Sequence, residues 1–237
     1  MAPKNPKPLA LLIPGLDGTG KLYDRQIGLL AGKYRVQPWH FRPRDAFNLG
    51  DLVDEIAQGT QDEREPMLVV GESFGGLVAI QFVLDYPVRV RQLALVNTFP
   101  FYRRRIRIRL GCRLARLLDR PAVMGIKDYV VERTLAAEGI PPEDRLFYRQ
   151  AIRQVHHPAY CRRLELVRDV DLRDRLREIR VPAHLFASGR DKLVPSIREA
   201  RYMHSAIRGS RIHEFPHAGH ALLLTPGFSL AEYLEPI

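Results

Sequence analysis

A chain of 237 residues, 46% of them hydrophobic and with charges spread along its length, can bury a sizeable core, which excludes a disordered or low-complexity polypeptide. No apolar run approaches the roughly 18 residues of a membrane span. The first run, Leu9–Ile13, is also shorter than the ~7–15 residues of a signal-peptide core, so one cytoplasmic globular domain is expected. The net charge of +10 raises nucleic acid, membrane surfaces and acidic substrates as partners, but much of it is local, because the arginines from Arg103 to Arg120 face only Asp119.

Leu9–Ile13 is a continuous apolar run of strand length, read as a strand buried on both faces of a parallel sheet. It ends in the glycine-dense turn Pro14-Gly15-Leu16-Asp17-Gly18-Thr19-Gly20-Lys21. Tyr34–Phe41 reads as a second strand, with Pro38 marking a bulge or its end. A helix over Asp51–Gln58 follows, with Asn48 or Asp51 as its cap. Met67–Val70 is a strand, Gly76–Leu84 a buried helix, and Gln92–Val96 a fourth strand. From Phe101 to Arg180 the chain is rich in Arg and Leu, helix-forming, and broken at Gly139–Pro142 and near His157-Pro158, which points to a helical insertion. Alternation resumes with a strand at Ala183–Ala187, a helix at Ser196–Ser205, a strand at Arg211–Phe215 and a last helix starting near His220. Cys112 and Cys161 lack any motif spacing and read as buried, reduced thiols.

Repeated strand–helix alternation predicts an α/β fold with an open, mostly parallel sheet and helices on both faces. In such sheets, sites form at the carboxyl ends of the strands. The turn after Val70 carries Gly71-Glu72-Ser73-Phe74-Gly75, a Gly-x-Ser-x-Gly between strand and helix. Glycines on either side leave room for a sharp turn that projects Ser73 from the sheet, and Ser73 is the candidate nucleophile. A serine hydroxyl needs a base, commonly a histidine oriented by a carboxylate. Asp191 lies just past one later strand, and His217 and His220 lie just past the next.

On these residues the chain resembles the α/β-hydrolase-fold family. Ile13–Gly18 is similar to its oxyanion loop, Gly71–Gly75 to its nucleophile elbow, Ser188–Pro195 to its acid loop and Gly219-His220 to its histidine loop; only the central insertion is unmatched. The pairing of Asp17–Gly20 with Gly71–Gly76 is also similar to an esterase and acyltransferase branch that includes phytyl ester synthases. The resemblance implies a serine hydrolase of carboxylic esters with Ser73, Asp191 and His220 as catalytic residues, His220 being favoured over His217 by its preceding glycine. It further implies Phe74 and Leu16 as backbone donors to an oxyanion, with Asp17 as the neighbouring alternative to Leu16. It places a helical lid over residues 101–180, and it calls for no metal or organic cofactor. Acyl transfer to a lipid alcohol is the alternative reaction.

Rival readings attach to several of these residues. Asp191 could serve only as a cap for the helix from Ser196. The other acid position, after the strand that follows the elbow, holds Asn97, whose amide cannot compensate an imidazolium. His217 and His220 at i, i+3 have no carboxylate or cysteine cluster for a metal. Gly15–Lys21 fits the first seven positions of a phosphate-binding loop, but Leu22 replaces the Ser or Thr that would bind magnesium. The basic stretch reads as a solvated surface or as a contact for an anionic membrane; no nucleic-acid fold accompanies it.

Overall fold

The structure is a computed structural model that describes residues 7–103, 106, 108–110, 125, 128–129, 131–135 and 140–234. The first strand, β1 (Leu9–Ile13), is buried at all five positions. β3 (Met67–Glu72) is likewise buried throughout, as expected of central strands covered on both faces. With β2 (Arg35–Pro38), β4 (Val90–Val96), β5 (Ala183–Ser188) and β6 (Arg211–Phe215) they form one six-stranded parallel sheet in the order β2-β1-β3-β4-β5-β6. β2 and β6 are the edges, and Pro38 ends β2, where its missing N–H costs no central ladder bond.

Period-two alternation sends side chains to two separate cores. Leu9, Leu11, Ile13, Met67 and Val69 pack on one face, with Val53 and Ile56 from α2 (Leu49–Gly59), Leu77 from α3 (Phe74–Asp85) and Met203 from a later helix. Ala10, Leu12, Leu68 and Val70 pack on the other, with Leu30 from α1 (Asp24–Leu30) and Leu222, Leu223 and Leu230 from the chain's last turns. Each fully buried Leu or Val contributes about 1.5–3 kcal/mol by leaving water.

Between β4 and β5 the chain forms α4 (Pro142–Arg153), α5 (His157–Asp169) and a 3₁₀ turn, Arg173–Glu178. The two expected breaks fall where these helices begin, because proline is tolerated in a first turn. α6 (Ser196–Ala206) connects β5 to β6. Most of the arginine-rich stretch lies outside the described residues, as does Cys112; within it Arg103 pairs with buried Glu199 at 3.0 Å. Cys161 is buried in α5. Among the described residues, no helix is long and apolar enough to cross a membrane.

Three expectations change. The cap of α2 is Asn48, which accepts from the Asp51 amide while the Asp51 side chain accepts from the Asn48 amide, so both candidates take part in one capping box. α3 begins at Phe74, immediately after the serine. The last helix does not form: two 3₁₀ turns, Leu222–Leu224 and Leu230–Glu232, flank Pro226-Gly227, with Gly227 at φ 77°. α1 was not foreseen; it is two turns long with an exposed Leu29, too short to carry a clear apolar period.

Candidate active site

The strand order reverses at β1: the chain steps out to β2, then returns past β1 to β3. A crevice opens at the carboxyl ends where neighbouring connections leave in opposite directions. The turns after β1 and β3 meet there because Gly75 lies directly against the main chain of Ile13 and Pro14.

 A Cβ at position 75 would overlap the Ile13 carbonyl oxygen, and one at position 71 would lie 2.6 Å from the Gly75 oxygen. Both positions therefore require glycine.

Ser73 stands between them at φ 51°, ψ −118°, a left-handed-side conformation that costs a non-glycine residue about 1–3 kcal/mol. Three hydrogen bonds hold it there. Its N–H donates to Val96 O at 2.9 Å, and its carbonyl accepts from Thr98 Oγ1 at 2.5 Å and Gly76 N at 3.0 Å.

Two later turns reach the same point. His220 Nε2 lies 3.0 Å from Ser73 Oγ, and His220 Nδ1 lies 2.7 Å from Asp191 Oδ2. With Nδ1–H donating to the carboxylate, Nε2 is left to accept the serine proton. Burial pushes the Asp191 carboxyl up, but the His220 charge and hydrogen bonds from His220, Ser196 and Val194 hold it below the usual carboxylate range. Burial likewise pushes His220 down; Asp191, with a smaller contribution from Glu72, brings it above the usual 6.5. Asp191 also accepts from the Leu193 and Val194 amides and the Ser196 hydroxyl, so it organises the start of α6 as well as facing the imidazole. His217 faces Arg190 on the surface, 3.4 Å away.

Asn97 has a different task from the acid. Its side chain accepts from Ser188 N at 2.9 Å and donates to Ser188 Oγ at 2.9 Å and the His220 carbonyl at 2.8 Å. It ties the ends of β4 and β5 to the turn that carries His220.

On the other side of Ser73, Phe74 opens α3, so its N–H has no carbonyl one turn back within the helix. The Gly15 carbonyl accepts from Gly18 N at 3.0 Å, which fixes the peptide plane carrying the Leu16 N–H. Arg163, buried in α5, donates through Nε to Leu16 O at 2.7 Å and through Nη2 to Asp17 O at 3.2 Å. The Leu16 bond fixes the plane carrying the Asp17 N–H, because C=O and N–H oppose one another across a trans peptide. Desolvation lowers the Arg163 guanidinium to about 10. Lys21 pairs with Asp24 at 3.8 Å and lies over the Phe147 ring, and α1 starts only at Asp24, so the turn lacks the helix N-terminus and the inward lysine of a phosphate loop.

The space above Ser73 is a cavity of about 30 Å³. Leu16, Asp17, Glu72, Ser73, Leu193 and His220 form its floor and sides, and Val131, Thr134, Tyr148, Ile152 and Tyr160 cover it. A larger open groove of about 350 Å³, lined by Phe215, His217, Phe228 and Tyr233, shares no lining residue with it. Among the described residues, no group of three His, Cys, Asp or Glu side chains is placed to hold a metal ion.

The profile of the alpha/beta hydrolase family matches residues 10–232. The chain belongs to that family. It is 26% identical over 234 residues to the candidate carbamate hydrolase RutD of Serratia proteamaculans, covering 92% of this chain and 86% of the relative. In fold it is similar to an esterase from Exiguobacterium antarcticum, at a TM-score of 0.81 and 19% identity over 92% of this chain and 87% of that one. It is also similar to the enol-lactonase of Burkholderia xenovorans, at a TM-score of 0.77 and 19% identity over 92% and 85%. As an alpha/beta hydrolase it has two further buried charged side chains around the site, Glu72 and Arg163, to which the sequence assigned no role. Glu72 stood in the turn motif beside Ser73, and the structure extends β3 to include it, whereas Arg163 carried no signal among so many arginines.

Proposed function

We propose that this alpha/beta hydrolase cleaves small carboxylic esters through an acyl-enzyme, with Ser73 as nucleophile, His220 as general base and acid, and Asp191 as its orienting carboxylate. The observation that carries the reading is the pair of distances at one imidazole, 3.0 Å to Ser73 Oγ and 2.7 Å to Asp191 Oδ2. His220 takes the serine proton as Oγ attacks the carbonyl carbon. The Phe74 and Leu16 N–H groups receive the developing oxyanion, each such donor being worth about 3–4 kcal/mol in comparable sites. His220 returns the proton to the departing alcohol. Water then enters, and the same groups reverse the sequence. α4 and residues 131–135 act as a lid, and a cavity of about 30 Å³ favours a short acyl group unless that lid moves.

The test is turnover of p-nitrophenyl acetate, butyrate and decanoate, with a carbamate ester beside them because a relative bears that name. Activity that falls with chain length, disappears in Ser73→Ala and is blocked by stoichiometric fluorophosphonate labelling of Ser73 supports the reading. Equal turnover by the wild type and Ser73→Ala overturns it.

A further inference from the structure

The Ser73, His220 and Asp191 arrangement leaves one buried carboxyl unused. Glu72 ends β3, is 2% exposed, and lines the cavity beside Ser73. Its Oε1 lies 3.4 Å from His220 Nε2, the same nitrogen that faces Ser73 Oγ. Its Oε2 is buried and has no hydrogen-bond partner among the described residues. A Cβ at position 15 would overlap Oε2, so glycine at that position leaves this carboxyl its place. Burial raises Glu72 to about 8, opposed by the His220 charge and, more weakly, the nearby Gly15 amide, and reinforced by Asp17 and Asp191.

A buried polar atom without a partner is costly, and in a cavity with other polar groups on its walls a water of two or more hydrogen bonds is the ordinary remedy. The cavity can hold one or two waters, since each needs about 10–15 Å³. We infer that Glu72 is a positioning residue for the second half-reaction: together with His220 it holds the water that releases the acyl group from Ser73. The inference rests on the serine-hydrolase reading above.

Once Ser73 Oγ is esterified, it no longer donates to Nε2. The water donates one hydrogen to Nε2 and the other to the Glu72 carboxyl, which aims a lone pair at the acyl carbon. The water oxygen bonds to that carbon while its first proton passes to Nε2. The tetrahedral intermediate collapses, the bond from carbon to Oγ breaks, and Oγ recovers the proton from Nε2. The second hydrogen stays on the product acid, and Glu72 ends as it began.

The experiment is pre-steady-state hydrolysis of p-nitrophenyl acetate by the wild type, Glu72→Met and Glu72→Gln, reading the burst as acylation and the linear phase as deacylation. Methionine removes both oxygens at similar volume, and an apolar group of similar shape in a buried site is well tolerated. Glutamine keeps a carbonyl acceptor that cannot ionise. The expected result is a Glu72→Met burst within about threefold of the wild type and a linear phase slowed at least about tenfold, as for loss of a well-placed hydrogen bond, with Glu72→Gln retaining both phases. Added hydroxylamine, a nucleophile that needs less help than water, should restore turnover to Glu72→Met. If the Met variant does not fold, Glu72→Ala is expected to show the same separation of phases. An unchanged linear phase, a parallel fall in both phases, or Glu72→Gln as slow as Glu72→Met overturns the inference while the hydrolase reading stands. A wild type with neither burst nor fluorophosphonate label overturns both.

Discussion

Arg163 donates to the carbonyl oxygen of Leu16 at 2.7 Å, across 147 residues of chain. The bond fastens α5 to the turn after β1, so the geometry of the proposed oxyanion donors depends on a helix inserted between β4 and β5. Removing the guanidinium leaves the Leu16 and Asp17 carbonyls without it, at about 1–3 kcal/mol for each group left buried and unsatisfied. Arg163→Met is expected to slow fluorophosphonate labelling of Ser73 by about 10- to 100-fold and to lower the midpoint of thermal unfolding. Arg163→Lys, which cannot span both carbonyls, should fall between. Labelling at the wild-type rate in Arg163→Met would show that the turn holds its shape unaided.

As the proposed base, His220 must be neutral to accept the serine proton, and the neighbouring Asp191 carboxylate favours its protonated form. The kcat/KM for an ester is therefore expected to rise with pH through an apparent value above the usual 6.5 of histidine. Asp191→Asn removes that hold and the tautomer it selects, so the apparent value should drop below that of the wild type and kcat should fall by about 10³–10⁴. A pH profile that does not move in Asp191→Asn would contradict the orienting role.

Asn97 joins three separate segments through one buried amide. Asn97→Ala is expected to destabilise the protein by about 2–4 kcal/mol, since at least two of the partners are left without a bond. Urea denaturation measures this. Asn97→Asp should be worse than neutral, because a carboxylate would face the His220 carbonyl that now accepts from an N–H.

Ile152 covers the cavity from α4 and is 5% exposed. Trimming it to alanine enlarges a space of about 30 Å³. Ile152→Ala is expected to raise the ratio of p-nitrophenyl butyrate to acetate turnover several-fold, while costing about 2–5 kcal/mol of stability. An unchanged ratio would mean that another wall sets acyl length.

The sequence by itself determined the parts whose causes are local. Continuous apolar runs of strand length marked the central strands, and glycines at 71 and 75 marked a turn too crowded for side chains. The order of Ser73, Asp191 and His220 at strand ends was readable because a parallel sheet brings every strand's carboxyl end to one edge. The last helix was misjudged, since Leu222–Leu224 is buried on all sides and an apolar run of that kind carries no period. Only the tertiary structure decided which polar residues meet at and beside the site. Glu72 meets His220 across 148 positions, and Arg163 reaches Leu16 through helices that have no motif. Such contacts are chosen by packing between distant segments, where residue type at either end fixes neither partner nor distance.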